Sequence, residues 1–168
     1  MENGIGPHGR DTPLKGLTAP RTPKMPTSIH GILGDTCFWL EAFDQSRKHH
    51  KHAVKLLDNF SRGVLLMPWP IMYEVLRTYT VKNPKMMDGF RRVVSRPKVI
   101  KIDDHKYRSD CLNAAFAQRG RAISLVDLIV RAVLCDENYR VTQLLTYNQA
   151  DFADVCKGRG VVMWPLTY

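Results

Sequence analysis

The sequence predicts an α/β fold of three layers, in which helices cover both faces of a central, mainly parallel sheet of five strands. Short apolar runs of strand type alternate with longer segments whose apolar residues recur at helical spacing. This alternation is typical of parallel sheets, because a crossover between parallel strands usually contains a helix. The 168 residues, of which 44% are hydrophobic, are enough for one domain with a substantial core.

The first 28 residues predict an irregular tail, followed by a single domain over residues 29–168. Five prolines and four glycines fall in this stretch, which contains few large apolar residues. The tail could be an arm that contacts a partner or RNA, or a disordered extension upstream of a start at Met25. Its composition favours the disordered extension.

Five apolar runs are expected to form the sheet, and helical patterns lie between them. The strands are predicted at Ile29–Leu33, Val64–Met67, Val99–Ile102, Gln143–Thr146 and Val161–Trp164. The helices are predicted at Cys37–Phe43, from the run Arg47–His52 to Phe60, at Ile71–Val81, from Pro84 to Val94, at Asp104–Gly120, and from Ser124 to Asn138.

A formal net charge of +9 favours a polyanionic partner, nucleic acid above all. One basic segment is the run Arg47–His52, whose three histidines lack the His-x-x-x-His spacing of metal ligands on a helix. We interpret it as a solvated basic rim. The densest basic segment contains Arg91, Arg92 and Arg96, and we expect both segments to contact phosphates.

Nothing in the sequence indicates a secreted or membrane protein. The chain has no apolar signal segment at its start and no long uncharged apolar run. Its four cysteines are widely scattered and include no Cys-x-x-Cys pair, which is typical of reduced thiols. We therefore expect a cytoplasmic protein with no membrane partner.

Four carboxylates are predicted to meet at the carboxyl edge of the sheet. Asp35 follows the first strand, Glu74 opens the helix after the second strand, and Asp127 opens the helix before the fourth. Asp151 follows the fourth strand, and ligands bind outside the carboxyl ends of parallel strands. Because clustered carboxylates repel one another, a cation between them is expected, and Mg²⁺ or Mn²⁺ suits oxygen ligands best.

Each of these acids also has a purely structural explanation. Asp35 could cap the following helix, and Glu74 would suit the positive end of a helix dipole. Asp127 lies in a capping box with the preceding serine and could also pair with Arg131 four residues later. Asp151 could cap a short turn. Only the combination of the four positions favours a functional site.

These residues resemble the motifs of the PIN-domain family. The matching segments are Ile32–Thr36, Tyr73–Arg77, Ser124–Asp127 and Leu145–Phe152, the last of which reads Thr-x-Asn-x-x-Asp-Phe over its final seven residues. The resemblance covers residues 29–168 and looks most like VapC, the toxin of toxin–antitoxin pairs. The sequence departs from that pattern in its proline-rich tail and in Asn148, which stands where many members carry another Asp.

The resemblance implies an endoribonuclease that depends on Mg²⁺ or Mn²⁺ and hydrolyses RNA phosphodiesters with a metal-activated water. It also implies a homodimer and a cognate antitoxin as partners. The implied catalytic residues and metal ligands are Asp35, Glu74, Asp127 and Asp151. Hydrogen bonds that orient these carboxylates would come from Thr36, Ser124, Thr146 and Asn148. The RNA-binding residues would be Arg77, Arg91, Arg92 and Arg96.

Two other functions stay open from the sequence alone. One is a non-catalytic RNA-binding or regulatory module with a PIN-like fold, and the other is a structure-specific DNA nuclease. Retention of all four acids argues against the non-catalytic module, since negative charge weakens phosphate binding. A haloacid-dehalogenase-like phosphatase would need an acid two residues after Asp35, where the chain has Cys37.

Overall fold

The computed structural model describes residues 31–120 and 122–166, in which five strands alternate with helices. The strands are β1 (Gly31–Gly34), β2 (Val64–Pro68), β3 (Val99–Ile102), β4 (Val141–Leu145) and β5 (Val162–Trp164). The helices are α1 (Thr36–Phe43), α2 (His50–Phe60), α3 (Trp69–Val75), α4 (Thr78–Val81), α5 (Pro84–Val94), α6 (His105–Ala117), α7 (Leu125–Cys135) and α8 (Ala153–Arg159). A 3-10 turn, Gln149–Asp151, precedes α8.

All neighbouring strands are parallel, and their order in the sheet is β3-β2-β1-β4-β5. The predicted α/β fold with a parallel five-stranded sheet is therefore confirmed. β2 and β3 lie on one side of β1, and β4 and β5 lie on its other side. The direction in which the chain adds strands to the sheet therefore reverses, and the reversal point lies between β1 and β4. α/β proteins bind ligands in the crevice beyond such a reversal. The Asp35 amide donates to the Leu145 carbonyl at 2.9 Å, so the loops after β1 and β4 begin side by side.

Helices pack on both faces of the sheet. One group contains α1, α2 and α5, and the other contains α6, α7 and α8. Leu33, Leu66 and Leu144, on the three central strands, are fully buried. Burying such apolar area is the main favourable term in folding, at about 25 cal/mol per Å².

Trp39 fixes the turn from β1 into α1, which carries the first predicted site residue. Its indole Nε1 donates to the Gly34 carbonyl at 2.9 Å, and its ring is fully buried. A Cβ on Gly34 would lie 2.7 Å from the Trp39 ring, so only glycine permits this approach. The backbone that enters Asp35 is consequently held by the core.

The predicted helix Ile71–Val81 is wrong in its extent. It is two helices, α3 and α4, because Leu76 leaves the helical region at φ −84° and ψ 22° after its N–H closes the last turn of α3. Tyr79, in α4, is 51% exposed.

The predicted end of the helix at Gly120 is also wrong. α6 ends three residues earlier, at Ala117, and Gly120 adopts a left-handed φ of +88° in the following loop. Glycine suits this position because it has no Cβ to clash. α7 likewise ends at Cys135, before the predicted Asn138.

The predicted tail, residues 1–28, and the first two residues of the predicted first strand lie outside the described residues. The division into tail and domain therefore stays a prediction. Across residues 31–120 and 122–166, no helix is long and apolar enough to cross a membrane.

Candidate active site

Asp35 occupies the centre of the candidate site, directly after β1. It is 3% exposed and caps α1, with its Oδ1 accepting from the Thr36 N–H at 2.5 Å. Its Oδ2 accepts from the Cys37 thiol and from the Thr146 hydroxyl, each at 2.9 Å. Asp35 therefore caps α1, as the structural explanation for this residue predicted. It also connects α1 to the end of β4, which a cap alone would not require.

The environment of Asp35 disfavours its negative charge. Burial raises the pKa of Asp35, hydrogen bonds from Cys37 and Thr146 lower it, and the negative charge of Asp127 raises it. None of the lysines and arginines among the described residues forms a salt bridge with Asp35. A cation would remove an electrostatic cost here.

Glu74 reaches this centre through Thr36. The Thr36 hydroxyl donates to Glu74 Oε2 at 2.6 Å, and the Thr36 amide donates to Asp35. The structural explanation offered for Glu74 is wrong, because α3 runs from Trp69 to Val75 and Glu74 lies at its carboxyl end. A carboxylate is disfavoured at that end of a helix dipole. The position of Glu74 is better explained by its contact with Thr36 than by helix stability.

Asp127 forms the predicted capping box. The Ser124 hydroxyl accepts from the Asp127 amide at 3.0 Å and donates to Asp127 Oδ2 at 2.8 Å. Burial raises the pKa of Asp127, the Ser124 hydrogen bond lowers it, and the charge of Asp151 raises it. Asp127 is thus a cap that also has two acidic neighbours, Asp35 and Asp151.

The suggested ion pair between Asp127 and Arg131 is wrong. The Arg131 guanidinium donates to both carboxylate oxygens of Asp154, at 2.7 and 2.5 Å. It also donates to the backbone carbonyl of Asp151 at 2.5 Å. Because Arg131 lies one turn after Asp127 on α7, it fixes the segment that contains Asp151 against the helix that contains Asp127.

Asp151 joins the site through Asn148 and Thr146. The Asn148 side-chain amide donates to Asp151 Oδ2, and the Asn148 backbone amide donates to the Thr146 hydroxyl at 2.9 Å. That hydroxyl in turn donates to Asp35. Every one of the four residues expected to orient a carboxylate therefore contacts at least one, while their functional role stays a prediction.

The four carboxylates share one edge of the sheet but do not form a preformed metal cage. Among the described residues, no three His, Cys, Asp or Glu side chains are placed to hold one ion. Each carboxylate is instead held by a hydroxyl, amide or thiol donor of its own. Apart from Cys37, the potential ligand atoms around Asp35 are oxygens, and such a set suits Mg²⁺ or Mn²⁺.

Two solved structures resemble this chain over most of its length. VapC20 of Mycobacterium tuberculosis, a Sarcin-Ricin loop cleaving toxin, gives a TM-score of 0.61 at 15% sequence identity, with 73% of this chain and 94% of that chain covered. VapBC2 from Rickettsia felis, bound to a DNA fragment from their promoter, gives a TM-score of 0.52 at 15% sequence identity, with 79% of this chain and 96% of that chain covered. The chain has the PIN-domain fold of VapC.

The likeness to VapC is one of fold, since the sequences share so few residues. No protein-family model matches this sequence, and no curated protein matches it. The predicted resemblance is confirmed at the level of the fold.

The predicted RNA-binding arginines lie in different surroundings in this VapC-type fold, and their role in RNA binding stays a prediction. Arg91 borders a cavity of about 490 Å³, together with Trp69. Arg92 and Arg96 border a different cavity of about 590 Å³. Arg77 is exposed between α3 and α4. Among the described residues, none of the side-chain hydrogen bonds or salt bridges of the four carboxylates involves one of these arginines.

Sequence reasoning missed the role of Cys37 at the site. Its thiol donates to Asp35 Oδ2, and its sulfur accepts from the Tyr147 amide at 3.2 Å. Burial raises the pKa of Cys37 to about 12, and the charge of Asp35 raises it as well, so the thiol stays protonated and can donate. The sequence signal that could have indicated this role is the position of Cys37 in the first helical turn after Asp35.

Proposed function

We propose that this chain is an endoribonuclease dependent on Mg²⁺ or Mn²⁺, and that it is the toxin of a toxin–antitoxin pair. The main support is the hydrogen-bonded line that runs from Glu74 through Thr36, Asp35 and Thr146 to Asn148 and Asp151. Asp127 lies beside this line, at the reversal point of a VapC-type sheet. A structural neighbour that is a Sarcin-Ricin loop cleaving toxin also supports a nuclease.

The metal ion would be held by oxygen atoms of Asp35, Glu74, Asp127 and Asp151. When bound, such an ion activates water and stabilises the leaving oxygen of a phosphodiester. The raised pKa values of Asp35 and Asp127 support this assignment, because burial and acidic neighbours make their charges costly without a cation.

The uncharged partners would keep these carboxylates in place for that ion. Thr36 connects Glu74 to Asp35, and Thr146 connects Asp35 to the Asn148 backbone. Ser124 restrains Asp127, and Asn148 restrains Asp151. Such outer partners orient metal ligands and usually matter by 10–100-fold in metal affinity or activity, as a rough guide. Phosphates of the RNA would be held by Arg77, Arg91, Arg92 and Arg96.

We also propose that an antitoxin covers the site and that the chain forms a homodimer in the cytoplasm. A mostly apolar groove of about 510 Å³ adjoins Glu74 and is bordered by Tyr73, Leu112 and Leu125. Tyr73 is 63% exposed and Phe116, on α6, is 76% exposed. Exposed apolar patches suit a protein partner. The neighbouring VapBC2 structure supports a partner of the antitoxin type.

Cleavage assays with RNA and DNA of one sequence test this function. We expect the purified protein to cut RNA in Mg²⁺ or Mn²⁺, to stop in EDTA, and to leave DNA intact. The Asp35→Asn variant should be inactive, which excludes a contaminating ribonuclease. Full-rate cleavage in EDTA would contradict the metal dependence. RNA that is bound but never cut would favour the non-catalytic module, and cleavage of DNA alone would favour a DNA nuclease.

A further inference from the structure

Three rings meet beside the candidate site, and we call them the Tyr147 cluster: Tyr147, His49 and His52. The Tyr147 and His49 rings are stacked, with centroids 4.7 Å apart and planes 15° apart. His52 lies edge-on to Tyr147 at 6.2 Å and 73°, and its Nδ1 is 3.4 Å from the Tyr147 hydroxyl. Because Tyr147 follows β4 and the two histidines belong to the start of α2, the cluster joins elements that are far apart in sequence.

The backbone of Tyr147 is fixed next to the carboxylates. Its amide donates to Cys37 Sγ at 3.2 Å, and the Cys37 thiol donates to Asp35 Oδ2 at 2.9 Å. Its two neighbours in the chain, Thr146 and Asn148, contact Asp35 and Asp151 respectively. A ligand on the Tyr147 cluster would therefore lie immediately beside the proposed reaction centre.

The charges around the Tyr147 cluster favour a polyanion. Lys48 and Lys51 are exposed and form no salt bridge with the acids in the described part of the chain. The nearest acid on α1, Glu41, is buried and already accepts from the His49 amide at 2.7 Å. Arg47 lies 3.6 Å from the same Glu41 carboxylate. Glu41 is thus already paired within the protein, whereas Lys48 and Lys51 remain available to contact phosphates.

Resting on the proposed function, we propose that the Tyr147 cluster is a stacking subsite for one unstacked base of single-stranded RNA. The backbone phosphates next to that base would contact Lys48 and Lys51. Aromatic, histidine and arginine faces stack on bases, and cationic side chains follow the backbone, in proteins that bind single strands. Stacking here offsets the repulsion between RNA phosphates and the carboxylates, and it places a phosphodiester beside Asp35.

The competing explanation is that the stack only packs α2 against the loop after β4. Equilibrium binding in EDTA separates the two, because no RNA is cut. The probes are a short unstructured single-stranded RNA and an abasic ribose-phosphate chain of the same length and charge. We expect His49→Ala to weaken RNA binding roughly tenfold and to leave abasic binding nearly unchanged. His49→Phe, which keeps a ring face, should recover most of the lost affinity.

Lys51→Ala is the matched control for charge, and it should weaken binding of both probes by the same factor. The subsite is contradicted if His49→Ala binds RNA like the wild type, or if it loses the same factor on both probes. Ultraviolet cross-linking of wild-type protein to the RNA provides a measurement without any substitution. We expect cross-linked peptides to include His49 or Tyr147, and cross-links confined to other peptides would overturn the subsite.

The same samples distinguish a failed subsite from a failed nuclease. A wild-type protein that cuts RNA in Mn²⁺ while His49→Ala binds both probes normally would refute the subsite and leave the nuclease standing. A wild-type protein that binds RNA through His49 and never cuts it would refute the nuclease and retain the subsite.

Discussion

The acidic sheet edge and the basic surface of α5 differ in how their side chains are held. At the sheet edge, Asp35 and Thr146 follow different strands, β1 and β4, yet they are buried and joined by a hydrogen bond. On α5, Arg91 and Arg92 are neighbours in the chain, yet both are exposed and they border different cavities. The ends of parallel strands bring together residues that are distant in sequence. A helix turns about 100° per residue and therefore points the side chains of consecutive residues in different directions.

This difference predicts two kinds of response to substitution. Residues at the sheet edge share donors and acceptors, so one change there should disturb the whole site. The arginines of α5 act singly at the surface, so each change there should have a small effect that depends on salt.

The largest effect is expected for Asp35→Asn at the sheet edge. The change removes the central charge, so RNA cleavage should fall by at least about 10³-fold. Asp58→Asn, an exposed position on α2, is the matched control and should cut like the wild type. Initial cleavage rates at saturating Mn²⁺ measure both. A variant that retains more than about a tenth of the wild-type rate would break the assignment of Asp35.

A smaller effect is expected for Arg131→Ala, which frees the segment that contains Asp151. The guanidinium fixes that segment through the Asp151 carbonyl and the Asp154 carboxylate. We expect cleavage to fall by roughly 10–100-fold. Arg131→Lys should restore little of the lost cleavage activity, since an ammonium group cannot form the bidentate contact with Asp154.

The control for that change is Arg159→Ala, which removes an exposed arginine from the last turn of α8. It should cut RNA like the wild type. Equal losses for Arg131→Ala and Arg159→Ala would indicate a general effect of charge and not the placement of Asp151.

The sheet edge could be predicted from the sequence because it depends on order along the chain. Asp35, Asp127 and Asp151 flank strands or open helices, and parallel strands put those positions at one edge. Glu74 was placed correctly at the edge for a wrong reason, because the break at Leu76 puts it at the end of α3. Helix breaks of this kind depend on tertiary packing, which local propensity does not contain.

Contacts between elements could not be predicted in the same way. The stack of Tyr147 on His49 joins α2 to the loop after β4, and no periodicity encodes that pairing. Helical spacing allowed Arg131 to pair with Asp127 on its own helix, yet Arg131 pairs with Asp154 on α8. When a side chain can reach several acids, the tertiary structure decides which of them it contacts.

A third prediction concerns the basic surface and sharpens its contrast with the sheet edge. Replacing Arg91, Arg92 and Arg96 together by Ala should weaken RNA binding, and each lost phosphate contact should flatten the salt dependence by about 0.7 in log–log slope. Single variants then show whether RNA follows the cavity of Arg91 or that of Arg92 and Arg96. A slope unchanged in the triple variant would place the RNA-binding surface elsewhere.

The fourth prediction concerns pH and stability without metal. Because the folded-state pKa of Asp127 is raised, its ionisation disfavours the folded protein at neutral pH, and that cost disappears as pH falls through the folded pKa. Asp127→Asn should therefore be as stable as the wild type or more stable at pH 7 in EDTA. The difference should shrink as pH is lowered, as denaturant unfolding at several pH values would measure. An advantage that grows on acidification would contradict the charge repulsion.

The most direct test of a shared cation site is thermal melting of wild type, Asp127→Asn and Asp35→Asn in EDTA and in millimolar Mn²⁺. If Asp127 were only a cap, its replacement would cost a few tenths to ~1 kcal/mol and would not affect the gain from metal. We predict that Asp127→Asn melts no lower than wild type in EDTA and gains clearly less from Mn²⁺, because metal that binds only the folded state stabilises it. A variant that melts lower in EDTA, gains as much from Mn²⁺ as the wild type and still cuts RNA would contradict the shared site.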